Sequence, residues 1–180
     1  MCSSDLDLRD LALLHGNLGS AALLSDEYAR ARRLYQSALA LSEELGDRGR
    51  LPSHHQAMGV AALLDGSLDE AASHLSAALV DGRQVGDTQT VICALHSVAG
   101  LAAERGNSVL AATLRAAVDH ATRDLGIMLS GADVLVDRRF LEPSDATSSQ
   151  PAFAGAETMT LEAAVDAALN ELRLPSRPFS

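Results

Sequence analysis

Lysine is missing altogether: all fourteen basic residues of the chain are arginine. That absence removes whole classes of chemistry. A phosphate-binding loop of the GK[ST] type needs its lysine, and Schiff-base catalysis needs a side-chain amine. Tryptophan is also absent and aromatic residues make up 3% of the chain, while nearly half of it is apolar. With alanine and leucine as the main core material and few β-branched residues, close-packed helices are favoured over sheets. The two cysteines, Cys2 and Cys93, stand far apart without CxxC spacing. They form neither a disulfide framework nor a zinc signature, and they suit a reducing cytoplasm. Positive charge is scarce as well. A formal charge of −10 argues against sequence-independent DNA binding, which rests on neutralising phosphates. The N-terminal "MCSSDLDLRD" is acidic, and the "LALL" after it is too short for a signal or membrane segment.

What the chain does contain is an internal repeat, offset by forty residues and free of gaps. "NLGSAALLSDEYARARRLYQSALALSEELGD" begins at Asn17, "AMGVAALLDGSLDEAASHLSAALVDGRQVGD" at Ala57, and "SVAGLAAERGNSVLAATLRAAVDHATRDLGI" at Ser97. Down the columns Gly19 matches Gly59 and Ala99, Ala22 matches Ala62 and Ala102, and Ala31 matches Ala71 and Ala111. Tyr35 aligns with Leu75, Ala38 with Ala78 and Val118, and Gly46 with Gly86 and Gly126. Each unit reads as two helices. The small residue of the first helix lets the second approach closely, and a polar break separates them at Ser25-Asp26, Asp65-Gly66 and Arg105-Gly106. The second helix carries an apolar stripe at i, i+4, i+7 and stops at a glycine suited to a left-handed cap. A single hairpin cannot bury its apolar face, whereas stacked neighbours can.

The pattern Met58-Gly59, Ala62, Gly66, Leu68, Ala71, Leu75, Ala78-Leu79 resembles that of tetratricopeptide (TPR) repeats. Their usual period is about 34 residues, so the second helix and loop are longer here. Stretches such as "ALALSEELGD" and "AGLAAERGN" resemble TPR-like arrays of actinobacterial LuxR- or cyclase-related signal-transduction ATPase regulators. The resemblance covers roughly residues 11–126 and a final helix like "MTLEAAVDAALNEL" at 159–172. It implies an all-α, right-handed superhelical solenoid of about three hairpins plus a C-terminal helix. It also implies a cytoplasmic interaction module, either part of a signalling or transcriptional regulator or an orphan derived from one. The upstream nucleotide-binding domain of such regulators and a downstream helix-turn-helix are not seen in these residues.

The expected organisation is a tail at 1–10, repeats at about 11–46, 51–86 and 90–126, an irregular segment and linker at 127–158, a helix at 159–173 and a tail at 174–180. Repeat three departs from the pattern, with Ser108, Arg115 and Asp119 where repeat two has Leu68, Leu75 and Leu79. That polar drift fits a terminal, capping repeat. Within 127–158, "SGADVLVDRRFLEP" reads as a short helix in preference to a docked extended segment. "SDATSSQPAFAGAE" reads as a flexible linker. In the last helix Thr160 is the expected N-cap, with Leu161, Val165, Ala168 and Leu169 as the stripe that packs back on the array.

Six histidines invite a search for a site. Glu70 and His74 stand four apart on one helix face and suggest a metal grip or a local helical pair. His54 and His55 are adjacent, so on a helix they point about 100° apart and chelate poorly together. His15 and His55 share a column that TPR repeats fill with bulky packing residues. No Ser-His-Asp order, HExxH motif or nucleophile elbow is present. The expectation is therefore a non-enzyme with no cofactor and no metal. The TPR resemblance implies a groove lined by the first helices, with Asn17, Ser20, Gln56, Val60, His96 and Gly100 facing it. The expected partner is a protein, a peptide or another domain of the same regulator, with neither nucleic acid nor membrane involved. Two alternatives stay open: a self-associating scaffold unit (a homodimer being its simplest form) and an enzyme with an unrecognised site.

Overall fold

The computed structural model describes residues 3–142 and 159–173, and all regular structure among them is helical. Six long helices come first: α1 (Ser3–Leu24), α2 (Tyr28–Glu44), α3 (Leu51–Leu64), α4 (Leu68–Val85), α5 (Thr88–Glu104) and α6 (Ser108–Leu125). A short α7 (Gly131–Val136) runs on into a wider π-type turn over Asp137–Leu141, and α8 spans Leu161–Leu172. The proposed linker at 144–157 lies outside the described residues.

The helix lengths follow from a repeated backbone reversal. Left-handed residues occur at Asp26, Gly46, Gly66, Gly86, Gly106 and Gly126, one every twenty residues. At each, the amide of the following residue reaches back five positions. Glu27 donates to the carbonyl of Ala22, Asp47 to Ser42, Ser67 to Ala62, Asp87 to Gly82, Asn107 to Ala102 and Ile127 to Thr122, at 2.8–3.1 Å. This is the bond that satisfies orphan carbonyls where a helix ends on a left-handed residue. Glycine serves there because it has no Cβ to clash, and Asp26 is tolerated as one of the few side chains that visit the region. The alanine column at 22, 62 and 102 thus marks the acceptors of three of the six reversals.

Helices α1 and α2, α3 and α4, and α5 and α6 pack as pairs, and α2 meets α3 as α4 meets α5. The expected close approach at small residues is present. A Cβ placed on Gly19 would lie 2.7 Å from the Tyr35 ring, and one on Gly59 would lie 2.7 Å from the Leu75 side chain. The alanine columns are inside: Ala31, Ala71, Ala38 and Ala78 are fully buried. Helix α5 differs from α1 and α3 in being covered on every side, with each residue from Thr90 to Ala102 buried. Helices α3, α4 and α6 flank it, α7 and the π-type turn lie against it, and α8 also packs on it.

The segment 127–158, expected to be irregular apart from a short helix, is helical over 131–141. Ser130 and Asp133 form a reciprocal capping box that starts α7. Arg115, one of the polar substitutions in repeat three, donates to the carbonyl of Leu141 at 2.9 Å, so that departure fixes the end of the turn. Thr160 caps α8 by accepting from the Ala163 amide at 3.2 Å. Ala164, Val165 and Ala168 are buried against α4, α5 and α6. The α8 C-terminus is held by the Arg105 guanidinium, which donates to the Glu171 carbonyl at 3.2 Å, and by Asn107, which donates to the Glu171 carboxylate at 2.9 Å.

Gly59→Ala tests the close approach. Alanine would add up to about 1 kcal/mol of helix propensity. Its Cβ, however, meets the buried Leu75 side chain and comes within 3.3 Å of the Leu75 backbone nitrogen. Overpacking of this kind costs about 1–3 kcal/mol, so a net loss of up to about 2 kcal/mol in urea unfolding is expected. A raised midpoint would contradict the packing described.

Candidate functional site

The six groove positions divide into three groups. Asn17 and Ser20 are exposed on α1, where the Ser20 hydroxyl accepts from Tyr35 at 3.1 Å. Gln56 is half-buried, and its amide nitrogen has no hydrogen-bond partner. Val60, His96 and Gly100 are buried. The open groove expected there is filled from within the chain, because α7 lies across α1, α3 and α5 and the π-type turn lies on α5. Val136 seats in the notch that Gly100 leaves. A Cβ on Gly100 would come within 2.6 Å of Val136 Cγ1 and 3.5 Å of both Leu63 and Phe140. At the other end of the segment, a Cβ on Gly131 would lie 3.3 Å from Leu24.

Polar groups line the same seat. His96, 2% exposed, places Nε2 3.3 Å from the Asp133 carbonyl and 3.4 Å from Oδ1 of Asp137. Its Nδ1 has no partner. The Cys93 thiol is pushed up to about 12, first by burial and then by the neighbouring Asp133 carboxylate. A thiol so perturbed is protonated at neutral pH and is not a ready nucleophile. Among the described residues no three histidine, cysteine or carboxylate groups converge as metal ligands.

The histidines that suggested a metal helix tie neighbouring helices together instead. His54 turns to α2, with Nε2 3.0 Å from Ser42 Oγ. His55 turns to α4, where its Nδ1 is 3.1 Å from Nδ1 of His74, with ring centroids 5.4 Å apart. One of these nitrogens must carry the proton and the other accept it. Glu70 does not pair with His74. It accepts from the Arg32 guanidinium on α2, which also donates to Asp65 at 2.7 Å. The local helical pair expected at 70 and 74 is therefore replaced by two cross-helix contacts.

Sequence reasoning did not find the seat of α7, the Arg105–Glu171 tie or the His55–His74 contact. One signal was available: "TVICALHSVAGLA", residues 90–102, has no charged residue on any face. A helix apolar all round is one that is covered all round.

All three histidines have depressed basicity. Burial is the leading cause in each, followed by Arg50 and His55 acting on His54, and by His55 acting on His74. Folding thus favours their neutral forms, so their contribution is fully present above the ordinary histidine value of about 6.5. It is lost as pH falls from there through the lower folded-state values, because the unfolded chain takes up protons first. Denaturant midpoints should fall between about pH 7 and pH 5, and His74→Leu should flatten that slope. A midpoint constant over this range would contradict the burial described. Comparison with protein-family models, with curated proteins and with solved structures returned no match.

Proposed function

We propose that this chain is a TPR-like α-solenoid acting as a non-catalytic protein-interaction module, whose inner face on α1, α3 and α5 receives a helical segment of a partner. Its resemblance to arrays of LuxR- or cyclase-related regulators makes a signalling or transcriptional regulator its natural context, and a cytoplasmic one. The observation that carries the reading is the seating of residues 131–141. A short helix lies across three first helices, with Val136 in the Gly100 notch and Phe140 beside it. That is how a helix-in-groove ligand is held, by a few apolar anchors on one face. The segment is then a resident occupant, and a partner helix competes with it. The apparent affinity for such a partner is reduced by the fraction of molecules in which the seat is free.

The buried Cys93 thiol reports on the seat, because Asp133 of α7 lies beside it. In a Cys2→Ser background, Val136→Asp should speed the labelling of Cys93 by a thiol reagent while leaving helix content near that of the parent. A fluorescent peptide of residues 130–142 should then bind the Val136→Asp chain and not the parent. Phe140→Asp provides a second route to the same state. If both variants label faster yet neither binds the peptide, the inner face is packing surface and the reading fails.

A further inference from the structure

Each hairpin in this chain covers the next, so the repeat columns show which residues of a first helix a preceding second helix buries. On α3 they include His54, tied to Ser42 of α2, and Met58, which is 4% exposed. On α5 they include Val91, against which Gly82 of α4 packs, with Ala94 and Val98. The matching residues of α1 are Leu11, Leu14 and Leu18, followed by Ala21. They are uncovered: Leu11 is 39%, Leu14 52% and Leu18 41% exposed. The opposite end of the array is finished differently. On α6, Asp119 stands in the column of Leu39 and Leu79, and Thr122 in that of Ser42 and Gly82. One end is polar, and the other is a bare leucine stripe.

We infer that α1 is a dimerisation helix, its Leu11–Leu14–Leu18 stripe packing antiparallel against the same stripe of a second copy. Three features select this occupant. The spacing of 3 and 4 residues is that of a seam between two helices crossing at a shallow angle. The stripe is self-complementary about Leu14, which sets Leu11 of one copy against Leu18 of the other. The charges of α1 (Asp5, Asp7, Arg9 and Asp10) all precede the stripe, and none occurs from Leu11 to Leu24. An antiparallel pair therefore lays each charged end against an uncharged one and brings no like charges together. A head-to-tail stack would instead press the leucines on Asp119 and Thr122, so the contact closes as a two-fold dimer and does not extend into a fibre.

Sedimentation equilibrium of the full chain over a concentration series tests this directly. A reversible dimer is expected, and Leu14→Glu should weaken it at least about tenfold with an unchanged far-UV spectrum. Leu125→Glu, which removes an exposed leucine at the end of α6, should leave the mass unaltered. In a Cys2→Ser background, Leu14→Cys should form a disulfide-linked dimer under mild oxidation, since the two residues meet at the symmetry axis. A monomer at every concentration would overturn the inference. So would a dimer indifferent to Leu14→Glu, or mass that keeps growing with concentration.

Discussion

The left-handed reversal that recurs every twenty residues is the constraint on which the rest depends. Each one ends a helix, returns an amide to a carbonyl five residues earlier and sends the chain back along the helix it has left. Because the spacing is constant, residues forty apart arrive at equivalent places. A glycine at position 19 or 59 then always faces the large residue sixteen positions later, Tyr35 or Leu75. Close packing of alanine-lined helices needs this registration. Alanine side chains fill space only when backbones approach, and a drift of one residue would turn Gly59 away from Leu75.

That registration also accounts for the position of α5. Helices α1 and α3 have a side left for short segments or solvent, whereas α5 is enclosed by its neighbours, by α7 and the π-type turn, and by α8. An element with thirteen consecutive buried residues cannot carry charge, and its sequence carries none over that run. Of the polar groups it brings inside, Thr90 and Ser97 are compensated locally, whereas His96 is compensated at one ring nitrogen only. Ser97 donates to the Cys93 carbonyl at 3.0 Å, and His96 turns to Asp133 and Asp137.

Legibility in the sequence followed the range of the interaction. The helix pairs, their breaks, the glycine caps and the Thr160 cap were readable because each depends on residues near in sequence or on a column repeated at fixed spacing. The partner of Glu70 was not readable. Arg32 lies thirty-eight residues away, in a column where the other repeats have Ala72 and Ala112, so the repeat gave no warning of the pair. His55 and His74 lie nineteen apart on two helices of one hairpin, and only the rotation of each helix decides that their rings meet. The seat of α7 was hidden for another reason. Gly100 falls one residue after the small-residue column of Gly19, Gly59 and Ala99. The repeat placed it facing a groove, but nothing in its column, Ser20 and Val60, announced that it forms the notch that admits Val136.

The two segments that enclose α5 are not held equally. Helix α8 has twelve residues, with Ala164, Val165, Ala168 and Glu171 buried, and its C-terminus is tied to Arg105 and Asn107. Helix α7 has six residues, of which only Asp133 and Val136 are buried, and its seat leaves His96 Nδ1 without a partner. A helix this short has little stability of its own. An unsatisfied buried nitrogen costs about 1–3 kcal/mol, comparable with the roughly 1.5–3 kcal/mol that burying one valine returns. Residues 131–141 thus bury fewer side chains than α8 or the repeat core, and segments with few buried contacts open at lower free energy. The less firmly held of the two segments is the one lying on the face shared by all three first helices. Exposing that face requires releasing α7 and the π-type turn, and neither belongs to a hairpin or to one of the six reversals.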